Sequence, residues 1–268
     1  MTDRLDIIKE VQAINKMYAN DPRQSSFSLL LCGEHGSGKS FFLRSCRKPV
    51  FIDSFDPGGT KGLRDYIAKG EIIVDTRWEA EDPKKPFAFS KWKQEMAKRE
   101  QMGLFNHLGT YVLDSMTTWS DAIMNYILKL AAIPGQAPRW AHDYIPQKME
   151  IRNWLKELLS LPCDFILTGH LEGHRDEVSG AVSYRFMTTG KAAITVPLLF
   201  DEIWVMAPKK LSSGVEYRIL TQSTGQHIAR SRLAKGGLLD TYEKPDMKSI
   251  LKKVGFPHED KPLFNEEN

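Results

Sequence analysis

Short apolar runs recur along the chain at 28–32, 50–53, 71–74, 110–114 and 164–168. They show little internal polar alternation, as strands of a parallel sheet covered on both faces do. Helical stripes lie between several of them. Trp119, Ala122, Ile123, Tyr126, Ile127 and Leu130 form one, and Met149, Trp154, Leu155, Leu158 and Leu159 another. This alternation predicts an α/β domain with a mostly parallel central sheet flanked by helices. Beyond residue 200 the runs at 201–206 and 215–220 flank the polar segment 209–214, which predicts an antiparallel C-terminal extension of the sheet. Before the first strand, Ile7, Ile8, Val11, Ile14 and Met17 recur at helical spacing. They predict an amphipathic helix that docks on its own domain rather than on a neighbouring subunit. The pattern divides the chain into an N-terminal helix (1–25), a core (26–235) and a polar tail with a short helix at 246–254 (236–268).

Composition narrows the class. In 268 residues, 41% are hydrophobic and 26% charged, which excludes a disordered chain and a coiled coil. The net charge of +3 is too small for a generally basic surface, so any nucleic-acid contact must be local. Cys32, Cys46 and Cys163 are an odd set without close ligand spacing, and read as core residues of a protein in a reducing cytoplasm. No apolar stretch approaches the ~20 residues that span a bilayer, so no membrane partner is expected.

The strongest chemical signal is Gly33-Glu34-His35-Gly36-Ser37-Gly38-Lys39-Ser40, which fits G-x-x-x-x-G-K-[ST] at every fixed position. It lies between an apolar strand and an expected helix starting at Lys39 or Ser40, as a phosphate-binding P-loop must. Glycines let successive backbone N–H groups turn toward phosphate oxygens, and the helix N-terminus adds its positive end. Backbone from Gly33 through Phe41 is the expected cradle, with ATP as ligand. Lys39 reaches the β- and γ-phosphates, and Ser40 ligates Mg²⁺. The strand 110–114 ends in Asp114, the candidate second holder of Mg²⁺. Ser115 follows where many P-loop ATPases carry a glutamate, so the general base must come from elsewhere. Asp53 and Asp56 end the second strand, at the edge that faces a nucleotide crevice, and one of them is the expected base.

These pieces together resemble the RecA-like recombinases, and more closely the short phage and prophage RecA-like ATPases of the single-strand-annealing Sak group. The resemblance covers roughly residues 26–235. It implies that the second strand leads to the catalytic acid, that Asp114-Ser115 is the Walker B end, and that His170 in Leu167-Thr168-Gly169-His170 senses the γ-phosphate. Members usually have glutamate as the base. A direct overlay puts Phe55 there, one residue before Asp56. The family implies a homo-oligomer, ring or filament, with ATP at subunit interfaces, in the cytoplasm of a bacterial host. It also implies single-stranded DNA and a single-strand-binding protein as partners, in annealing or recombination. Arg230 and Arg232, near Lys235, then fall where basic residues reach a neighbour's nucleotide.

Two segments interleave cations with rings, as single-strand binders do. The first, 134–144, holds Arg139 and Trp140. The second, 173–186, holds Arg175, Tyr184, Arg185 and Phe186, and Lys191 lies just beyond. His170 and His174 have metal-like spacing, but the strand-like residues before them and Gly173 between them argue against zinc. The run 77–102, with Lys91, Lys93, Lys98 and Arg99, reads as a charged exposed helix. Rival readings are a small-molecule kinase and a non-catalytic nucleotide-binding replication module.

Overall fold

The two faces of one eight-stranded sheet carry the two apolar sets that alternate along its strands. The computed structural model describes residues 4–21, 24–175, 177, 180, 182–188, 192–234 and 237–264. Six strands run parallel: β1 (Ser28–Cys32), β2 (Val50–Ser54), β3 (Ile72–Asp75), β4 (Thr110–Asp114), β5 (Asp164–Gly169) and β8 (Glu202–Met206). Their spatial order is β3-β2-β4-β5-β1-β8. Two short strands, β11 (Ile219–Leu220) and β12 (Tyr242–Glu243), extend the β8 edge antiparallel. The mostly parallel α/β class with an antiparallel C-terminal extension is therefore the observed architecture. The 209–216 segment departs from expectation. Its strands β9 (Lys209–Leu211) and β10 (Gly214–Glu216) pair only with each other, in a hairpin outside the main sheet. A second separate hairpin joins β6 (Leu171–Arg175) to β7 (Val182–Phe186).

Successive strand side chains point to opposite faces, so each strand supplies both cores. Leu30, Tyr111, Leu113, Phe165 and Leu167 pack under α4 (Ala88–Gln101), α6 (Met116–Leu130) and α7 (Trp140–Leu158). Leu29, Leu31, Ile52, Val112 and Ile166 pack under α2 (Lys39–Phe42) and α9 (Met247–Lys253). Met247, Ile250 and Leu251 of α9 are buried in that second core, and Asp246 caps the helix by accepting from Ser249 N. The 236–268 region thus contributes β12 and α9 to the fold instead of trailing from it.

Two other expectations change. Helix α4 is not an exposed charged helix, because Phe89, Trp92 and Met96 face the core and Arg99 is buried with them. Its guanidinium bonds both oxygens of Asp53, at 3.0 and 2.9 Å, and also Asp75 at 2.5 Å. The first helix, α1 (Arg4–Ala19), forms as predicted but does not dock on its own domain: none of its residues is buried. The short helices α3 (Arg64–Ala68), α5 (Leu104–His107) and α8 (Ala192–Thr195) complete the set among the described residues. No helix there is long and apolar enough to cross a membrane.

Candidate active site

Register brings the chemistry to one edge. Cys32 at the end of β1 lies opposite Gly169 and Val205, and Ser54 at the end of β2 lies opposite Asp114. The loops leaving β1, β2, β4 and β5 therefore emerge together. They line a cavity of about 560 Å³ bounded by the P-loop, the 56–59 turn, Asp114 and His170.

The P-loop is closed on itself. Gly36 and Gly38 hold φ of 74° and 98°, the left-handed region that favours glycine. A Cβ on Gly33 would collide with the Ser37 hydroxyl. That Ser37 oxygen is buried without a hydrogen-bond partner, an orphan polar group in a loop shaped for phosphate. Glu34, His35 and Phe41 are exposed, so backbone N–H groups are what they offer a ligand. Lys39 Nζ donates to the Gly33 and Glu34 carbonyls at 2.9 and 3.0 Å. Burial lowers its pKa, while Asp114, Cys32 and Asp56 pull it back up. An ammonium held among neutral carbonyls fits an incoming anion.

The helix after the loop starts at Lys39 as predicted, but α2 is a single turn continued by a 3-10 turn at Leu43–Ser45. Ser45 Oγ donates to the Phe42 carbonyl, and Pro49 disfavours helix at Lys48. Anion binding therefore rests on the loop amides more than on a long helix dipole.

Asp114 is buried and accepts a hydrogen bond from Thr168. Burial pushes its carboxyl up to about 6, Thr168 lowers it, and Asp56 raises it further. Asp114 and Ser40 line the same cavity, and a carboxylate with a hydroxyl are oxygen donors of the kind Mg²⁺ takes. The Asp114–Ser115 peptide is cis.

Asp56 stands at the mouth. Its Oδ1 accepts from Thr118 Oγ1 at 2.5 Å and Ser115 Oγ at 3.0 Å. Its Oδ2 lies 3.7 Å from His170 Nε2. Burial opposes its ionisation, but His170, Thr118 and Ser115 outweigh burial and hold its carboxyl below the usual range. Asp53 is elsewhere. It is fully buried and its oxygens accept from Trp78 and Trp92 Nε1, Tyr111 OH and Arg99. A carboxylate so filled cannot take a proton from water, which removes Asp53 as a base. Its position inside β2 aims it under α4, whereas Asp56 lies past the strand end.

Sequence reasoning did not single out Thr118, Thr168 or Glu79. Glu79 accepts from Ser54 Oγ at 2.7 Å and Gly58 N at 3.1 Å, pinning the turn that carries Asp56. Thr118 stands one residue before the α6 stripe among other polar residues, and no pattern in the sequence marked it.

The remaining candidates scatter. Arg230 is a strut whose guanidinium donates to the Phe200 carbonyl at 2.6 Å, so it is not a free cation. Arg232 is 51% exposed, with only 3.4 Å contacts to Asp201 and the Leu198 carbonyl. Its N–H bonds Glu202, so it sits at the start of β8, the opposite end from the P-loop. Trp140 is the first residue of α7, not part of a loop, and is 77% exposed. Arg139 pairs with Asp143 at 2.9 Å. The second segment is the β6–β7 hairpin, with Arg175 and Arg185 exposed. Tyr184 stacks on His227, centroids 4.7 Å apart. Phe186 is buried against Gly169 and is a core residue, not a base-stacking ring. Lys191 and Lys235 lie outside the described residues. Among the described residues no three His, Cys, Asp or Glu side chains converge on a metal position.

No curated protein matches the chain in sequence. Among solved structures, the KaiC-like protein PH0186 of Pyrococcus horikoshii OT3 aligns at 13% identity over 72% of this chain and 78% of that one, with a TM-score of 0.40. The flagellar accessory protein FlaH of Methanocaldococcus jannaschii aligns at 14% identity over 72% and 76%, with a TM-score of 0.39. The AAA domain family matches residues 25–233, a span holding the whole parallel sheet, the P-loop and its facing acids, and the chain belongs to that family.

Proposed function

We propose that this chain hydrolyses ATP and couples the reaction to holding single-stranded DNA in annealing or recombination, as a homo-oligomer. The observation that carries the reading is the convergence of Lys39, Asp114, Asp56 and His170 on one cavity beside a complete P-loop. Ser40 and Asp114 would hold Mg²⁺, which neutralises phosphate charge when bound. Lys39 binds the phosphate oxygens. Asp56, with Oδ1 filled by two hydroxyls, keeps Oδ2, 3.7 Å from His170 Nε2, as the oxygen that accepts the attacking water's proton. His170 is placed to register the γ-phosphate, and its carbonyl accepts from Met187 N at 2.9 Å, clamping the foot of the β6–β7 hairpin. A shift at His170 is thereby passed to Arg175 and Arg185. A role in phage-type annealing, with a single-strand-binding protein as partner, follows the Sak-group resemblance.

The test is ATP turnover with and without oligothymidine. Stimulation is expected. Turnover indifferent to DNA leaves an ATPase without this partner, and negligible turnover despite tight ATP binding means a non-catalytic module. Fluorescent oligothymidine titrated at several salt concentrations then locates the contacts. Arg175→Ala and Arg185→Ala should each weaken binding and flatten the salt slope by about 0.7. Trp140→Ala should cost ~1–3 kcal/mol with the slope unchanged, because stacking releases no counterions. Parent-like binding by all three removes these surfaces from the DNA site.

Arg232 lies too far from its own P-loop to serve it, so its transition-state role would be across an interface. Mixing should show this. Arg232→Ala chains with an intact P-loop should restore part of the turnover of Lys39→Ala chains. No rescue at any ratio makes Arg232 a surface residue.

A further inference from the structure

Asp56 sits in a turn that its own sequence holds loosely. Pro57, Gly58 and Gly59 follow it, and Gly58 takes a φ of 73°, a backbone state that costs a glycine much conformational freedom to hold. The side chain of Asp56 is held from the α6 side, by Ser115 and Thr118. The backbone of its turn is held from the opposite side, by Glu79 from the segment after β3. One oxygen of Glu79 accepts from Ser54 Oγ, before Asp56, at 2.7 Å, and the other accepts from Gly58 N, after it, at 3.1 Å. Glu79 is itself well founded. Its neighbour Trp78 is buried and stacks on Phe55, centroids 6.3 Å apart, and Glu79 N donates to the Thr76 carbonyl at 3.2 Å. Glu79 does not line the P-loop cavity, and with both oxygens filled it is no rival base.

We infer that Glu79 is a positioning residue: by bracing the two limbs of the 54–58 turn it holds the Asp56 carboxylate where it takes the proton of the attacking water. The inference rests on Asp56 as the base. A reacting group displaced by about 1 Å can lose ~10²-fold in rate, and a turn with two glycines gives that much without a brace. The brace works by hydrogen bonds rather than by charge. A glutamine at 79 has the same shape: its carbonyl accepts from Gly58 N and its amide donates to Ser54 Oγ. The Ser54 hydroxyl is then free to donate to the Asp56 carbonyl, 3.3 Å away. An alanine at 79 releases both limbs.

Single-turnover ATP cleavage, ATP affinity and a circular-dichroism melt on each variant of the full chain test it. Glu79→Ala should slow cleavage roughly 10–100-fold with affinity within about twofold of the parent, and Glu79→Gln should recover most of that loss. In an Asp56→Asn chain, adding Glu79→Ala should slow cleavage no further, because a displaced amide has no proton transfer to lose. Ser54→Ala cuts one arm of the brace from the other side and should slow cleavage ~3–10-fold, which keeps the test if Glu79→Ala does not fold. Parent-like cleavage by folded Glu79→Ala, or by Ser54→Ala where the first does not fold, overturns the inference. So does a Glu79→Gln as slow as Glu79→Ala, which would mean that the charge matters and not the brace. A full further loss in the Asp56→Asn chain also overturns it, by showing that Glu79 acts elsewhere. A slow Asp56→Asn beside a parent-like Glu79→Ala removes this inference alone, whereas a parent-like Asp56→Asn removes the base reading and the inference with it.

Discussion

Lys39→Ala should abolish measurable ATP turnover while leaving the thermal melt within a degree or two of the parent. Lys39 is the one lysine or arginine that lines the P-loop cavity among the described residues. Losing a preorganised donor to developing phosphate charge costs roughly 10²–10³-fold in turnover. The fold does not need this ammonium. Its bonds go only to the Gly33 and Glu34 carbonyls, and burial already disfavours its charge. Removing it releases a desolvated cation but also takes a favourable charge from Asp114 and Asp56, so the two effects oppose and the melt should move little. Phosphate release and a melt monitored by circular dichroism on the same sample check both halves. Parent-like turnover in the folded variant would end the ATPase reading. Lost turnover with a collapsed melt would show that Lys39 holds the loop and would leave its chemical role unproved.

The sheet and the P-loop were legible because both are local. Five apolar runs announced five parallel strands, and the glycine spacing around Lys39 is a constraint on adjacent backbone. What sequence could not convey was which distant groups meet. Asp53 and Asp56 stand three residues apart, yet their fates are opposite. The first is filled by Trp78, Trp92, Arg99 and Tyr111, which are 25 to 58 residues away. Arg99 looked like one more surface charge because Lys91, Lys93 and Lys98 surround it. The buried stripe of Phe89, Trp92 and Met96 on the same helix was the signal that it faces inward. Phe186 shows the converse. An aromatic beside Arg185 invites a nucleic-acid reading, but the absence of a side chain at Gly169 opens the space its ring fills. In α1 the stripe was read correctly and its docking was not, because periodicity shows that a helix has an apolar face and not what covers it.

Asp56→Asn and Asp53→Asn should separate catalysis from folding. Asp56→Asn keeps a carbonyl oxygen for the Ser115 and Thr118 hydroxyls, so the turn should stay in place and ATP affinity should change little. An amide cannot accept the proton of the attacking water, and turnover should fall about 10²–10⁴-fold. Asp53→Asn should do the reverse. It turns a carboxylate surrounded by donors into a group that itself presents an NH₂ to them, and it strips Arg99 of one of its two buried partners. Breaking a buried pair by removing one charge costs about 3–5 kcal/mol. For a chain of this size that is a fall of roughly 10 °C in melting temperature. Turnover per folded molecule, measured well below that melt, should stay near the parent value. The comparison needs three numbers for each variant: melting temperature, ATP affinity and single-turnover rate. A slow, stable Asp53→Asn beside a parent-like Asp56→Asn would reverse the assignment. It would mean that the indole, phenol and guanidinium donors around Asp53 open during turnover and that Asp56 only shapes the turn.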